Sequence, residues 1–278
     1  MGSVITLTTD FGYDGAYMAA VKGVILSTNP EANVVDITHS IEPQNIAQAA
    51  FILNITYRYF PKQTIHLAIV DPDVGSERQG VIVKTPSAFF VAPDNGILSY
   101  IINELSSTVS PPNQYSRISE KVTFKTGLEA VAITDPRFWR HPVSPTFHAR
   151  DIFAPVAAGL SLGISIYEFG EKINSLHVIP TPKPSLDLQD NLIGHIVYID
   201  HYGNLITDIK NSDLPKKDVI IDASGYCIRG VSGYYAQSEG VMAILGSSGY
   251  LEIALRNGSA CDFLGMLVGD ELKVVLPT

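Results

Sequence analysis

A chain of 278 residues, 46% hydrophobic and 17% charged, carries enough apolar material for one large domain or two smaller ones and is not disordered. A formal net charge of -9 with no basic run argues against a nucleic-acid partner and leaves a small molecule as the default ligand. No apolar run approaches the roughly 18 residues of a membrane span, and a strand starting at Val4 leaves no room for a signal peptide. A cytoplasmic protein is expected, with Cys227 and Cys261 as two buried thiols rather than a disulfide.

Val4 to Thr8 reads as a buried strand that ends in a polar turn, Thr9-Asp10-Phe11-Gly12. Ala16 to Leu26 has helical spacing, and Asn29-Pro30 stops it. Val34 to Thr38 is the next strand, Pro43 to Tyr57 the next helix, and Ile65 to Val70 the strand after that. This alternation predicts a parallel sheet with right-handed crossovers. The third strand runs into Asp71-Pro72 and a loop holding Asp73, Glu77 and Arg78. Charge just past the end of a buried strand is where open α/β sheets place ligand sites.

Val81 to Lys84 and Phe89 to Ala92 form a predicted strand pair. Pro93-Asp94-Asn95-Gly96 is a turn with a short helix, Ile97 to Leu105, behind it, and Ser106 to Tyr115 is an exposed loop. Gly127 to Thr134 is again apolar, and after Pro145-Thr146-Phe147-His148 a helix is expected from Asp151 to Leu160. Prolines at 180, 182 and 184 mark a semi-rigid linker. The domains are therefore 1–178, an α/β unit; 179–190, the linker; and 191–278. The last segment shows short alternating strands and no helical spacing, which predicts a small β-barrel of roughly five to seven strands.

Candidate chemistry gathers at strand ends. Asp10 can accept two hydrogen bonds from a ribose diol or simply cap a turn; no G-x-G-x-x-G supports a dinucleotide site. Asp71 and Arg78 can pair across their loop, keeping Asp71 ionised and oriented, or form a purely structural bridge. His148, with Thr146, Arg150 and Asp151 crowded into the same turn, can meet Asp71 and Arg78 to handle a water molecule. No metal is expected, since the His, Cys, Asp and Glu spacings match no ligand pattern. In the β unit, Asp200-His201-Tyr202-Gly203-Asn204 and Gly246-Ser247-Ser248-Gly249-Tyr250 are polar turns whose backbone N–H groups suit a carboxylate or a purine edge.

Taken together, T-T-D-F-G at 8–12, V-V-D-I-T-H at 34–39, V-D-P-D-V-G-S-E-R at 70–78, P-D-N-G at 93–96, P-T-F-H-A-R-D-I-F-A-P-V-A-A at 145–158, D-H-Y-G-N-L-I-T-D-I at 200–209 and S-S-G-Y-L-E-I-A at 247–254 resemble the SAM hydroxide adenosyltransferases. These are relatives of the fluorinating and chlorinating enzymes that attack S-adenosylmethionine. The resemblance implies an α/β domain followed by a β-barrel, and a homotrimer with the ligand between one subunit's first domain and its neighbour's second. It implies hydrolysis of S-adenosylmethionine to adenosine and L-methionine with no cofactor. Asp71, Arg78 and His148 match the family's catalytic residues and Asp10 its ribose ligand. Phe147 is a further substrate contact. Asp200, Ser247 and Ser248 fall around the methionine moiety, and Asn204, with backbone at Asn257 to Ala260, at the adenine. The alternatives are a non-catalytic binding protein and a halide-using adenosyltransferase. One position departs from the family: Asp73 stands where it has Gly. If that position has positive φ, Asp there is strained by about 1 kcal/mol, and its charge raises the pKa of Asp71 or its own.

Overall fold

The computed structural model describes residues 2–105, 119–124, 127–214 and 218–275; the loop expected over Ser106 to Tyr115 lies outside them. The chain divides into two compact units, Met1–Thr181 and Pro182–Thr278. Among the described residues, no helix is long and apolar enough to cross a membrane.

The first unit begins with β1 (Val4–Thr9), α1 (Ala16–Thr28), β2 (Asn33–Thr38), α2 (Ile46–Thr56) and β3 (Thr64–Ile69). Strands β4 (Gly80–Lys84) and β5 (Ala88–Pro93), helix α3 (Ser99–Leu105), and strands β6 (Glu120–Thr123) and β7 (Glu129–Ile133) follow. Helix α4 (Ala154–Ser161) and strands β8 (Gly170–Ile173) and β9 (Ser175–Val178) complete it. The Asn45 side chain caps α2 by accepting from Gln48 N, which sets the helix start three residues later than the apolar spacing alone suggested.

The main sheet has the order β2-β1-β3-β5-β4-β7-β8. The three strands of the alternating first segment are parallel, as expected, and β4 and β5 form the expected pair; the sheet as a whole is mixed. Strands β2, β1, β3 and β5 are parallel, whereas β4, β7 and β8 join by antiparallel pairing. The reason is that β4 and β5 are a hairpin, so only one of the two can run parallel to β3. It is β5 that does, and β4 lands one place further out.

Alternate residues of each strand feed opposite cores. Ile5, Leu7, Ile65, Leu67 and Ile69 pack with Val21 and Ile25 of α1 and Val156 and Leu160 of α4. Ala68, Val70, Phe90 and Ala92 pack with Ala49 and Leu53 of α2 and Ile101 and Ile102 of α3. Every residue of β3 is buried, as a strand covered on both faces requires.

The second unit holds β10 (Ser185–Leu186), β11 (Leu192–Ile199), β12 (Leu205–Lys210), β13 (Ile220–Ala223), β14 (Tyr226–Arg229), β15 (Val241–Leu245), β16 (Tyr250–Leu255), the short helix α5 (Ala260–Leu264) and β17 (Glu271–Val275). They form one antiparallel sheet, β14-β13-β17-β11-β12-β16-β15, with β10 added to β11. A bridge between Ser232, just beyond β14, and Ile244 of β15 brings the two edges together, so the sheet is a nearly closed barrel around Leu205, Ile221, Leu251, Ile253 and Val274. Both cysteines are free, but Cys227 is exposed and Cys261 half-buried. The expectation of two buried thiols fails because Cys227 lies on the edge strand β14, where alternation sends Ile228 inward instead.

His66 of β3 is buried beside α2, stacked on Phe90 at 5.2 Å, with Nδ1 2.8 Å from Thr6 Oγ1 and Nε2 unpartnered. Burial pushes its pKa down to about 4. The folded state then binds fewer protons than the unfolded chain, so stability is complete above about pH 6.5 and declines as pH falls toward 4, by up to about 3 kcal/mol. Denaturant titrations of wild type and His66→Asn across that range should show the acid slope only in the wild type; equal slopes would assign it elsewhere.

Candidate active site

The parallel strands end together. Thr9 of β1 pairs with Ile69 of β3, and Thr8 with Thr38 of β2. Asp10 and His39, one residue further on, and Asp71, two residues past Ile69, therefore lie together at the C-terminal edge of the sheet, the usual location of ligand sites in such folds.

The loop from Val70 to Gln79 cannot turn straight into β4, because β5 occupies the place beside β3. It passes over the end of β5 and is fastened there. Asn95 Nδ2 donates to Val70 O at 2.8 Å, and Asp94 N donates to Gln79 O at 2.9 Å. Gly75 has φ +86°, and a Cβ on it would lie 2.3 Å from Pro145 O. That close approach brings the 145–155 stretch against the loop.

Arg78 forks onto Asp71: Nε donates to Oδ1 at 2.8 Å, and Nη2 donates to Oδ2. The same Nη2 lies 3.2 Å from His148 Nδ1, and the guanidinium stands 5.2 Å from the ring centre of Phe153. The Arg78 and Asp71 side chains are only 10% and 6% exposed, so solvent does little to screen the pair. Burial pushes the pKa of Asp71 up, against the lowering effect of Arg78, and the charge of Asp73 adds to the rise. Burial and the neighbouring Arg78 push His148 down. The ring is neutral at pH 7. Arg78 is a donor only, so Nδ1 accepts and the ring proton sits on Nε2. Of the three residues, Asp71 alone offers a basic atom; His148 offers an N–H donor.

His148 opens a π-helical turn, Ala149–Phe153, that runs directly into α4. The expected single helix from Asp151 is thus split, a distortion common at functional sites. Asp151, wholly buried, ties the turn down by accepting from Arg150 Nε and Nη2, each at 2.7 Å, and from Ser144 N at 2.9 Å. Burial alone would raise its pKa, but Arg150 and the Ser144 N–H hold it below the ordinary range.

Asp10 is held by Gln44 N, which donates to Oδ2 at 2.9 Å. Phe147 stands edge-on to Tyr17 at 5.1 Å and to Phe11 at 6.2 Å. Asn95 and Gly75 have no role in the site that the sequence alone gives. The signal for Asn95 was present in P-D-N-G, but its partner is 25 residues away. Asp73 has no positive φ, so the strain expected there is absent: Gly75, not residue 73, makes the left-handed turn.

In the second unit, Asp200 organises its turn by accepting from Tyr202 N and Asn204 N at Oδ1 and from Asn204 Nδ2 at Oδ2, each at 2.9 Å. Cys261 N donates to Gly203 O at 2.9 Å, which brings Asn204 together with the Asn257 to Ala260 segment. Ser247 and Ser248 lie elsewhere, on the turn before Tyr250, which pairs with Lys210 at the far end of β12. Glu252 lies between the two turns. Its carboxylate accepts from Tyr235 OH at 3.0 Å and fills the space a Cβ at Gly246 would need. Burial, and then the charge of Asp200, push its pKa up.

A family model described as the SAM hydroxide adenosyltransferase N-terminal domain matches residues 5–170, and one described as the C-terminal domain matches residues 194–273. A Methanocaldococcus jannaschii protein named (R)-S-adenosyl-L-methionine hydrolase is 30% identical over 288 residues, covering 98% of this chain and 95% of its own. A Nocardia brasiliensis protein named fluorinase is 25% identical over 242 residues, covering 78% of this chain and 74% of its own. The solved structure of an uncharacterized conserved protein from Thermotoga maritima has a TM-score of 0.85 at 30% identity, covering 98% of this chain and 100% of that one.

Gly75→Ala should destabilise the first unit by at least about 1–2 kcal/mol and separate the 70–79 loop from Pro145. Asp73→Gly should change stability by less than about 1 kcal/mol. Thermal unfolding of both variants checks this, and a large gain from Asp73→Gly would mean that residue 73 is strained after all.

Proposed function

The chain belongs to the SAM hydroxide adenosyltransferase family, and on that basis we infer that it is an enzyme that hydrolyses S-adenosyl-L-methionine to adenosine and L-methionine. The hydrolase relative is named for the (R) form, and the same sulfonium epimer is the proposed substrate here. The observation that carries the mechanism is the buried fork of Arg78 on Asp71, with His148 on the same guanidinium.

Water attacks the 5′ carbon in line with the departing sulfur. The C5′–S electron pair goes to sulfur, which leaves as the neutral thioether of methionine, so the leaving group needs neither an acid nor a metal. A new O–C5′ bond forms, and one water proton must go to a base. Arg78 occupies one lone pair on each Asp71 oxygen and leaves the others to take it. His148 Nε2–H orients the water by donating to its oxygen. Most of the acceleration then comes from holding the nucleophile in line. A halide needs no base, and the outer lone pairs of Asp71 repel it, so this arrangement favours water over fluoride or chloride.

Asp10 binds the ribose diol and Phe147 packs against the substrate. Asp200, Ser247 and Ser248 hold the methionine end, and Asn204 with the Asn257–Ala260 backbone holds the adenine. The working form is a cytoplasmic homotrimer in which each site takes its second-unit residues from a neighbour. Family membership supports this, and the two free thiols are in keeping with a reducing compartment.

Incubation with S-adenosylmethionine should release adenosine and methionine one to one, with no 5′-halo-adenosine when chloride or fluoride is added and no loss in chelator. No adenosine from protein shown to bind S-adenosylmethionine would sink the reading. Asp71→Asn should lower kcat by at least about 100-fold with little change in substrate affinity, whereas Asp10→Ala should weaken binding by about tenfold or more. Because Asp71 must be ionised and its pKa is raised, kcat/KM should climb with pH through a limb above about 3.9, and Asp73→Gly should move that limb to lower pH. Mixing Asp71→Asn with Asn204→Ala subunits should restore activity only if sites are shared between subunits.

A further inference from the structure

Beneath the Asp10 loop lies a chain of polar groups that the water-handling residues do not use. His39, just past β2, is fully buried. Its Nδ1 lies 2.8 Å from Thr9 Oγ1. Its Nε2 lies 3.1 Å from Asp36 Oδ1, an ion-pair approach too bent to be a hydrogen bond, and neither atom has a hydrogen-bond partner. Lys22 Nζ donates to the other Asp36 oxygen at 2.6 Å. At the far end, Thr9 Oγ1 accepts from Phe11 N at 3.2 Å. Gly12 N donates to His39 O at 2.8 Å, and the Tyr13 ring stands edge-on to His39 at 5.3 Å.

Only one proton arrangement is compatible with every neighbour in this chain. Although burial alone would raise the pKa of Asp36, the hydrogen bond from Lys22 and the nearby His39 hold it below the ordinary range. Its carboxylate is therefore purely an acceptor, and the imidazole proton belongs on Nε2. Nδ1 must then accept, so the Thr9 hydroxyl donates to it and turns its oxygen toward Phe11 N–H. With the proton on Nδ1 instead, Asp36 would face a bare lone pair, and the Thr9 hydroxyl hydrogen would need another acceptor.

We propose that Asp36 and His39 are positioning residues for the substrate loop, acting through a carboxylate–imidazole–hydroxyl relay that ends on the backbone N–H next to Asp10. The relay rests on the reading of Asp10 as the ribose ligand. Fixing Phe11 N fixes the direction of the Asp10 carboxylate. It also fixes the Phe11 ring, which packs on Phe147 beside His148. Neither Asp36 nor His39 touches the substrate.

The test is Asp36→Asn. Lys22 can only donate, so the new side chain must turn its carbonyl oxygen to Lys22 and its NH2 to His39. The imidazole proton then moves to Nδ1, which donates to Thr9 Oγ1 instead of accepting from it, and the Thr9 hydroxyl hydrogen loses its acceptor. Long-range 1H–15N correlation spectra should place the His39 proton on Nε2 in wild type and on Nδ1 in the variant. KM for S-adenosylmethionine should rise by about tenfold, with kcat within about twofold. Thr9→Val should raise KM similarly while leaving the proton on Nε2, and Thr9→Ser should restore KM. A wild-type proton on Nδ1 would overturn the relay, as would a flipped tautomer with unchanged KM, or Thr9→Ser behaving like Thr9→Val. If wild type releases no adenosine, the functional reading fails on its own, and the spectra still decide the proton arrangement.

Discussion

One skipped strand position makes the site. β3 and β4 are consecutive in the chain but not adjacent in the sheet, because β5 lies between them. The connection must therefore cross two strand spacings, about 10 Å, at the C-terminal edge where β1 and β2 also end. A tight turn would have left no room for functional side chains. Ten residues spanning the gap would be loose without anchors, and the anchors come from the element stepped over. Asn95 and Asp94, at the end of β5, fasten the two ends of the loop. Gly75 closes the middle against Pro145. The same crossing thus gives the loop its length and its rigidity.

The electrostatics follow from that placement. A carboxylate taken out of water loses several kcal/mol of hydration unless a partner replaces it. Arg78 supplies the partner through a two-bond fork and, with the same Nη2, also reaches His148. Asp71 remains an anion with a raised affinity for protons, which suits its proposed role of briefly taking one from water. Sharing the guanidinium keeps His148 neutral with its proton pointing away. The roles of acceptor and donor are therefore set by Arg78, which need not touch the water itself.

The sheet edge carries two tiers of organisation. The upper tier is the Asp71, Arg78 and His148 set, with Asp151 locking the π turn behind it. The lower tier runs from Lys22 through Asp36 and His39 to Thr9 and, by our proposal, steadies the Asp10 loop. They meet in the rings of Phe11, Tyr17 and Phe147. In the second unit, Asp200 plays a comparable part by fixing both the backbone and the side chain of Asn204. There too a carboxylate appears to a reader of the sequence as a ligand, while much of its hydrogen-bonding capacity is spent on its own turn.

The sequence by itself determined the alternating strands and helices of the first unit, the change to short strands in the second, and the strand-end positions of Asp10, Asp71 and Asp200. Those features rest on local periodicity and on turn residues a few positions apart, which a linear reading can see. The motif pattern likewise placed Arg78 and His148 with Asp71. Only the tertiary structure decided that β5 comes between β3 and β4, which makes the sheet a mixed one. Strand order is settled by contacts between residues far apart in the chain, and no local pattern encodes them. The same holds for Gly75 against Pro145, for Asn95 on Val70, and for the tautomers of His39 and His148. A histidine's proton goes where its neighbours leave an acceptor, and those neighbours are brought together only by folding.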